Sequence, residues 1–316
     1  MDERPDEFAL IRQYFSALTP APDDVPLGIG DDAALLRPSP GVELAVSTDT
    51  LIAGRHFPER TAPADIGWKA LAVNLSDLAA MGAEPWVFTL ALSLPEADPQ
   101  WLRGFADGLG ALARESGIAL VGGDTTRGPL AITITVIGRV PVGRALRRSG
   151  AKVGNRVCVT GTLGDAALGL RRLDDPAAAM LMPRLNRPTP RWAAGIALRG
   201  LAHAAIDLSD GLAGDLRHVL DASGVGAEIG AHRLPGSPAF DALVLPHERL
   251  ALQAGGGDDY ELCFCIPPAR VDEARALCAP LSLTVIGSIV REPGLRFVDT
   301  NGTIMPFNFQ AYNHFP

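Results

Sequence analysis

Six short motifs hold most of the chemistry this chain offers. They are Gly30-Asp31-Asp32, Ser47-Thr48-Asp49-Thr50, Asn74-Leu75-Ser76-Asp77, Gly122-Gly123-Asp124-Thr125-Thr126, Asp207-Leu208-Ser209-Asp210-Gly211 and Gly257-Asp258-Asp259-Tyr260-Glu261. Each sets aspartate beside hydroxyls or glycine. Carboxylates, hydroxyls and open backbone amides supply hard oxygen ligands and anion contacts, which hydrated Mg²⁺ needs when it carries polyphosphate. Lysine is nearly absent: Lys69 and Lys152 are the only two among 28 basic residues. Neither completes a G-x-x-x-x-G-K-[ST] pattern, so a Walker-type phosphate cradle is excluded. If the chain handles ATP, metal must neutralise most of the charge that lysine neutralises elsewhere.

Asp32, Asp49, Asp77 and Asp124 are candidate metal ligands from four separate elements of the first half. Each has a structural alternative. Asp32 follows glycine as a turn residue would, Asp49 sits where a strand-end cap would, and Asp124 can close a Gly-Gly turn. Asp77 lies in a helix that reads as largely buried, where a carboxylate without a partner is costly. Taken together they favour divalent cation, which relieves crowded carboxylates. Gly122-Gly123-Asp124 resembles a backbone nest for an anion. Asp207-Leu208-Ser209-Asp210 leads into a helix, where Ser209 or Asp210 reads as the N-cap and the helix amides suit phosphate. His56 is isolated, with no H-x-x-x-H or H-E-x-x-H in the chain. No G-x-S-x-G elbow marks a nucleophile.

The elements that must position these residues alternate in the first half. The pattern predicts a helix over 6–18, a strand over 42–47 ending at Thr48-Asp49, and a helix from Pro63 to Gly82. A strand over 86–94 follows, then a helix capped by Asp98-Pro99 and ending at Gly117, and strands over 118–121 and 131–140. The acidic motifs then fall at element ends, where α/β folds place ligands. Arg144, Arg147, Arg148 and Lys152 cluster near 143–154, so the domains are read as 1–150 and 151–316. In the second half, strands are predicted over 156–160, 260–266, 283–290 and 295–298, with two helical stretches ahead of Ala205-Ile206-Asp207 and helices over 211–222 and 267–279. Gly-Asp-Asp and Leu-Ser-Asp each occur once in either half, a weak suggestion of a repeat.

Composition narrows the function classes. The 316 residues are 47% hydrophobic and 20% charged, a globular composition. A net charge of −8 argues against nucleic acid as the main partner. No apolar run reaches the length of a membrane span. No signal peptide is visible, and a cytoplasmic location is expected. Cys158, Cys263, Cys265 and Cys278 lack C-x-x-C spacing and read as small buried hydrophobes. Cys263 and Cys265 are expected on opposite sides of a strand.

Gly28–Leu36, Ser47–Phe57, Lys69–Ala83, Gly122–Pro129, Ile206–Leu212 and Gly256–Leu262 together resemble the thiamine-monophosphate kinase family. That family shares a superfamily with aminoimidazole ribonucleotide synthetase and selenophosphate synthetase. The likeness spans essentially the whole chain in order. It implies an α/β (α+β) fold of two domains: an N-terminal ATP/Mg-binding domain whose mixed sheet pairs across a homodimer, and a C-terminal α/β domain completing the active site. It implies ATP-dependent phosphorylation of thiamine monophosphate to thiamine diphosphate with several Mg²⁺ ions, and no general base or covalent nucleophile. By motif, Asp32, Ser47, Thr48, Asp49, Asp77, Asp124, Asp207 and Asp210 are the implied metal ligands. Gly123, Asp124, Arg148 and Ser209 are the implied ATP contacts. His56, Asp258 and Phe309 are the implied contacts to the thiamine phosphate. Two positions depart from the family pattern: Asp258 stands where Glu is common, and Phe309 where Trp is frequent. Two other readings are an aminoimidazole ribonucleotide synthetase-like ligase, which a substrate panel distinguishes, and a nucleotide- or metal-binding module without turnover.

Overall fold

The structure is a computed structural model that describes residues 7–306. Phe309, the implied substrate contact, lies outside the described residues. Two compact units divide the described residues, one made of residues 7–78 and 83–143, the other of residues 79–82 and 144–306.

The first unit contains α1 (Glu7–Leu10), β1 (Val42–Ile52), α2 (Pro63–Ala80, its last two residues counted with the second unit), β2 (Glu84–Leu94), α3 (Pro99–Ser116), β3 (Ala119–Arg127) and β4 (Ala131–Pro141). Its sheet runs β1-β4-β2-β3. β1 and β2 both pair antiparallel with β4, and β2 pairs parallel with β3. A parallel pair needs a crossover, and α3 supplies it. The α3 boundaries follow local chemistry as expected. Asp98 accepts a hydrogen bond from Gln100 N at 2.8 Å, Pro99 occupies the first turn, and Gly117 ends the helix in a left-handed conformation. Where α2 meets α3 the backbones nearly touch. A Cβ on Gly108 would stand 1.8 Å from Ala64 O, and one on Gly67 would stand 2.2 Å from Phe105 O. Only glycine permits that approach.

Three expectations about this unit are corrected. The predicted helix over 6–18 is an α-turn followed by a π-turn over Ile11–Phe15, closed by Ser16 N–H donating to Ile11 O. The wider turn lets Leu10 and Phe15, five apart, both be buried. β1 extends to Ile52 because all eleven of its residues pair with β4. Asp49 therefore lies within a strand, and Asp124 lies within β3, not at element ends; Asp77 lies within α2, as expected.

The second unit comprises β5 (Arg156–Thr160), α4 (Asp165–Arg171), α5 (Met182–Asn186), α6 (Trp192–Leu198), β6 (Ala204–Asp207), α7 (Leu212–Ser223) and β7 (Gly226–Gly230), then α8 (Pro238–Leu243), α9 (Arg249–Gly255), β8 (Leu262–Ile266), α10 (Val271–Cys278), β9 (Leu283–Val290), β10 (Gly294–Val298) and β11 (Ile304–Met305). The sheet order is β11-β10-β7-β9-β5-β8-β6. It is antiparallel except for the β7–β10 pair. One core gathers Val157, Val159, Cys263 and Cys265 with α7, and another gathers Cys158, Leu262, Phe264 and Ile266 with α6 and α10. Cys263 and Cys265 thus share a face, contrary to expectation, because residues two apart on a strand point the same way. Burial pushes both thiols up, that of Cys265 to about 12. All four cysteines are free and buried. Among the described residues, no helix is long and apolar enough to cross a membrane.

Candidate active site

In the first unit the Asn-Leu-Ser-Asp and Ser-Thr-Asp motifs meet face to face. Asn74 and Asp77 are three apart on α2 and so share a helix face. Ser47 and Asp49 are two apart on β1 and so share a strand face. Ser47 Oγ donates to Asp77 Oδ2 at 2.5 Å, and Asp49 N–H donates to Asn74 Oδ1 at 3.0 Å. Fully buried Asn74 donates in turn to Ala70 O at 2.9 Å. Asp77 thereby has the partner that a carboxylate in a packed helix requires. The other strand face carries Thr48 and Thr50, whose hydroxyls bond Thr135 and Thr133 at 2.9 and 2.8 Å. Thr48 is thus placed apart from Ser47 and Asp49.

Asp124 lies in β3 opposite Ala91 and is exposed. The strand is distorted beside it. Gly123 has φ +147°, and a Cβ there would stand 1.8 Å from Leu90 O, so a side chain would collide with the neighbouring strand. β4 and β2 lie between β1 and β3, so Asp49 and Asp124 stand on opposite edge strands. Asp32 sits exposed in a loop closed by Leu35 N–H donating to Leu27 O at 2.9 Å. Ala34 and Leu36 of that loop pack on Trp86, Val87, Ala119 and Val121. His56 closes the turn after β1, its Nδ1 accepting from Ile52 N at 3.0 Å. That bond leaves the imidazole proton on Nε2.

In the second unit two motifs are bonded to each other. Asp258 N–H donates to Ser209 O and Tyr260 N–H to Leu208 O, each at 2.8 Å, and Leu208 N–H donates to Glu261 O at 2.9 Å. Asp207, Ser209, Asp210 and Asp258 are brought to one corner in this way. Asp258 (φ +69°) and Tyr260 (φ +48°) both adopt the left-handed region. For residues with a Cβ that costs about 1–3 kcal/mol each and persists only where the surroundings enforce it. The same geometry delays β8 to Leu262, two residues later than the sequence pattern predicts.

The surroundings here are a buried ionic knot. Glu261 is fully buried and accepts from Arg191 Nε at 2.7 Å, Arg191 Nη2 at 2.6 Å, Arg184 Nη2 at 2.8 Å and Thr160 Oγ1 at 2.7 Å. Arg184 also donates to Asp259 O at 3.2 Å. The buried Asp259 carboxylate accepts Gly164 N–H at 2.9 and 3.1 Å. Burial pushes its pKa well above the usual carboxylate range.

The N-cap expectation for Ser209 or Asp210 is corrected. Gly211 occupies the N-cap position of α7, where it offers no side-chain cap bond. Asp215, within that turn, instead accepts Asp210 N–H at 3.1 Å. Burial, then the charges of Asp207 and Asp210, push the Asp215 carboxyl up to about 8. Sequence reasoning missed Asp215. Its signal was a third aspartate five residues after Asp210. Arg148 is placed elsewhere: Ser223 Oγ, at the far end of α7, donates to Arg148 O at 3.3 Å.

Because the folded Asp215 holds a proton that the unfolded chain gives up, its contribution to stability is full below the unfolded value of 3.8 and drains away as pH rises toward about 8. Without divalent cation, the urea midpoint of the second unit is expected to fall over that window, and Asp215→Asn to flatten the fall and raise the midpoint at pH 8. A wild-type slope identical to the mutant's would contradict this.

These donor sets fit Mg²⁺ in one specific way. Among the described residues no three Asp, Glu, His or Cys side chains form a ready-made cage. Hard oxygens are instead distributed in ones and twos. Mg²⁺ commonly binds so, keeping waters and taking one or two carboxylates plus substrate phosphates. The crowding of Asp207 and Asp210 on Asp215 is of the kind a divalent cation would relieve.

Comparison with known proteins places this architecture. Residues 30–140 match the model for the AIR synthase related protein N-terminal domain, and residues 152–300 match the corresponding C-terminal domain. The thiamine-monophosphate kinase of Salmonella typhimurium is 48% identical over 98% of both chains. A crystal structure of thiamine-monophosphate kinase from Stenotrophomonas maltophilia superposes with a TM-score of 0.84 at 49% identity, covering 87% of this chain and 91% of that one. The structure of AaThiL complexed with AMPPCP and TMP superposes with a TM-score of 0.77 at 29% identity, covering 88% and 89%. With its two synthase-type domains and near full-length identity to these enzymes, the chain belongs to the thiamine-monophosphate kinase family.

Proposed function

We propose that this chain transfers the γ-phosphoryl group of ATP to thiamine monophosphate, giving thiamine diphosphate and ADP. The observation that carries the reading is its likeness, over nearly the whole chain, to thiamine-monophosphate kinases. A further relative was solved with an ATP analogue and TMP together.

The acceptor is itself an ionised phosphate, so no side chain needs to take its proton, and an in-line transfer demands mainly alignment and charge stabilisation. Asp49 and the Ser47 hydroxyl on one face of β1, with Asp77 of α2 facing them, would hold cation in the first unit. Asp32, Thr48 and Asp124 would supply further oxygens, as would Asp207 and Asp210 in the second unit. Held by these oxygens, magnesium would supply the positive charge that offsets the repulsion between two polyanions and the charge of the transferring group. Gly123 lets the β3 backbone approach an ATP phosphate without a Cβ in the way, while Ser209 and Arg148 contact ATP at separate points. Asp258 and the Nε2–H of His56 are assigned to the thiamine phosphate, as is Phe309, which lies outside the described residues. The domains are assigned as 1–150, binding ATP and metal, and 151–316, carrying the Asp207 and Asp258 motifs. The enzyme works in the cytoplasm, on substrates other than nucleic acid.

A second copy covers the outer face of β1, where Leu44, Val46 and Ile52 are 43, 62 and 45% exposed on an edge strand. Sedimentation velocity showing only monomer at micromolar concentration would contradict that homodimer. The substrate assignment is tested by ADP release with ATP and Mg²⁺, offering thiamine monophosphate, thiamine or aminoimidazole-pathway substrates in turn. Turnover with thiamine monophosphate alone is expected. Turnover with an aminoimidazole-pathway substrate would replace this reading.

A further inference from the structure

Asp32 stands near the tip of a loop whose base is closed where Arg37 N–H donates to Asp24 O at 2.9 Å. At that base the Asp24 carboxylate spans two strands of the first unit's sheet. Its Oδ1 accepts from Trp86 Nε1 of β2 at 2.9 Å, and its Oδ2 accepts from Arg139 Nη1 of β4 at 2.5 Å. Trp86 sits at an irregularity of the strand: the β2–β4 pairing passes from Pro85 opposite Gly138 to Val87 opposite Ile137 and skips Trp86. Such a bulge re-aims the side chain it carries. The Arg139 guanidinium carbon lies 5.1 Å from the centroid of the Trp86 ring, so the two donors also support each other. Both carboxylate oxygens are thus engaged by groups of the sheet, and charge-assisted bonds fix direction as well as strength. Apolar packing of Val25, Ala34 and Leu36 holds the loop against the sheet but is non-directional. Just before Asp31 and Asp32, a Cβ on Gly28 or Gly30 would meet nothing within 4 Å, so the tip has room to move unless its base is held.

We propose that Asp24 is a positioning residue: clamped to β2 and β4, it orients the loop that presents the Asp32 carboxylate to a divalent cation, touching neither cation nor substrate. The inference rests on the assignment of Asp32 to a cation in the proposed function. Two substitutions break the same clamp from opposite sides. Asp24→Asn keeps the size of the side chain and loses its charge; Arg139→Met keeps the apolar stem and loses the guanidinium. Each is expected to weaken divalent-cation binding about five- to tenfold. Each is also expected to speed amide exchange over residues 27–37 while exchange in α2 and α3 stays as in the parent.

The test counts free Mn²⁺, a paramagnetic stand-in for Mg²⁺, by electron paramagnetic resonance with AMPPCP present and no acceptor, in a double-mutant cycle with Asp32→Asn. If Asp24 acts through Asp32, adding Asp24→Asn or Arg139→Met to Asp32→Asn weakens Mn²⁺ binding no further. Unchanged Mn²⁺ binding in both clamp variants, with or without faster exchange in the loop, would overturn the proposal. Equal weakening in the parent and the Asp32→Asn backgrounds would mark a merely structural role and also overturn it. An Asp32→Asn protein that binds Mn²⁺ as the parent does would remove Asp32 from the cation, and the proposal with it. The acceptor is absent throughout, so a failure of the thiamine monophosphate assignment leaves this result untouched and shows separately in the ADP-release panel.

Discussion

Replacing Asp49 or Asp124 with asparagine is expected to lower kcat for thiamine diphosphate formation by about 10²–10³-fold while leaving the fold intact. Asparagine keeps the size and one acceptor oxygen of aspartate but loses the charge that holds a divalent cation. The structural bonds at both places run through the backbone. Asp49 N–H remains bonded to Asn74, β1 remains paired with β4 at every residue, and Asp124 stays opposite Ala91 in β3. Circular dichroism and the melting temperature should therefore match the parent. Because the two aspartates stand on opposite edge strands, each variant reports on its own cation position. Near-normal kcat in both at saturating Mg²⁺ would defeat the reading of several metal ions held by separate carboxylates.

Glu261→Ala is expected to cost about 3–5 kcal/mol in the stability of the second unit. Glu261 is fully buried beneath three guanidinium contacts and one hydroxyl. Without it, Arg184 and Arg191 face each other across a low-dielectric space with no carboxylate between them. Removing one member of such a set is far more damaging than replacing the whole set with apolar residues. The measurement is a urea titration followed by a probe in the second unit, with the midpoint shifted and the slope unchanged. A loss below about 1 kcal/mol would show that the knot is worth no more than an exposed ion pair. Activity should fall together with stability, since Arg184 also carries the Asp259 carbonyl and hence the loop with Asp258.

What could be read from the sequence was whatever is specified locally. The boundaries of α3 follow from Asp98-Pro99 and Gly117, whose capping chemistry lies within a few residues of each end. The start of α2 at Pro63 and the strand over 156–160 are equally local. β1 was read too short because its second half, Ser47 to Thr50, is hydroxyl-rich on both faces, and its strand character comes from β4 about eighty residues later. β7 went unread because Gly-Ala-Glu-Ile-Gly offers almost no alternation.

The same division runs through the site. The aspartates themselves stood out in their motifs. The pairing of Ser47 with Asp77 and of Asp49 with Asn74 spans 30 and 25 residues and belongs to packing. The apparent repeat dissolves for a related reason. Leu75-Ser76-Asp77 lies inside a helix and Leu208-Ser209-Asp210 ahead of one, so identical tripeptides meet different environments. The left-handed residues Asp258 and Tyr260 are set by hydrogen bonds to Leu208 and Ser209, which no local pattern near 258 records.

The most direct test of the central claim is chromatographic detection of thiamine diphosphate after incubating the purified protein with ATP and thiamine monophosphate across a Mg²⁺ titration. The account predicts thiamine diphosphate and ADP in equal amounts, none without divalent cation, and a rate that rises more steeply than first order in Mg²⁺ at low concentration. ATP consumed without thiamine diphosphate at any Mg²⁺ concentration would contradict it.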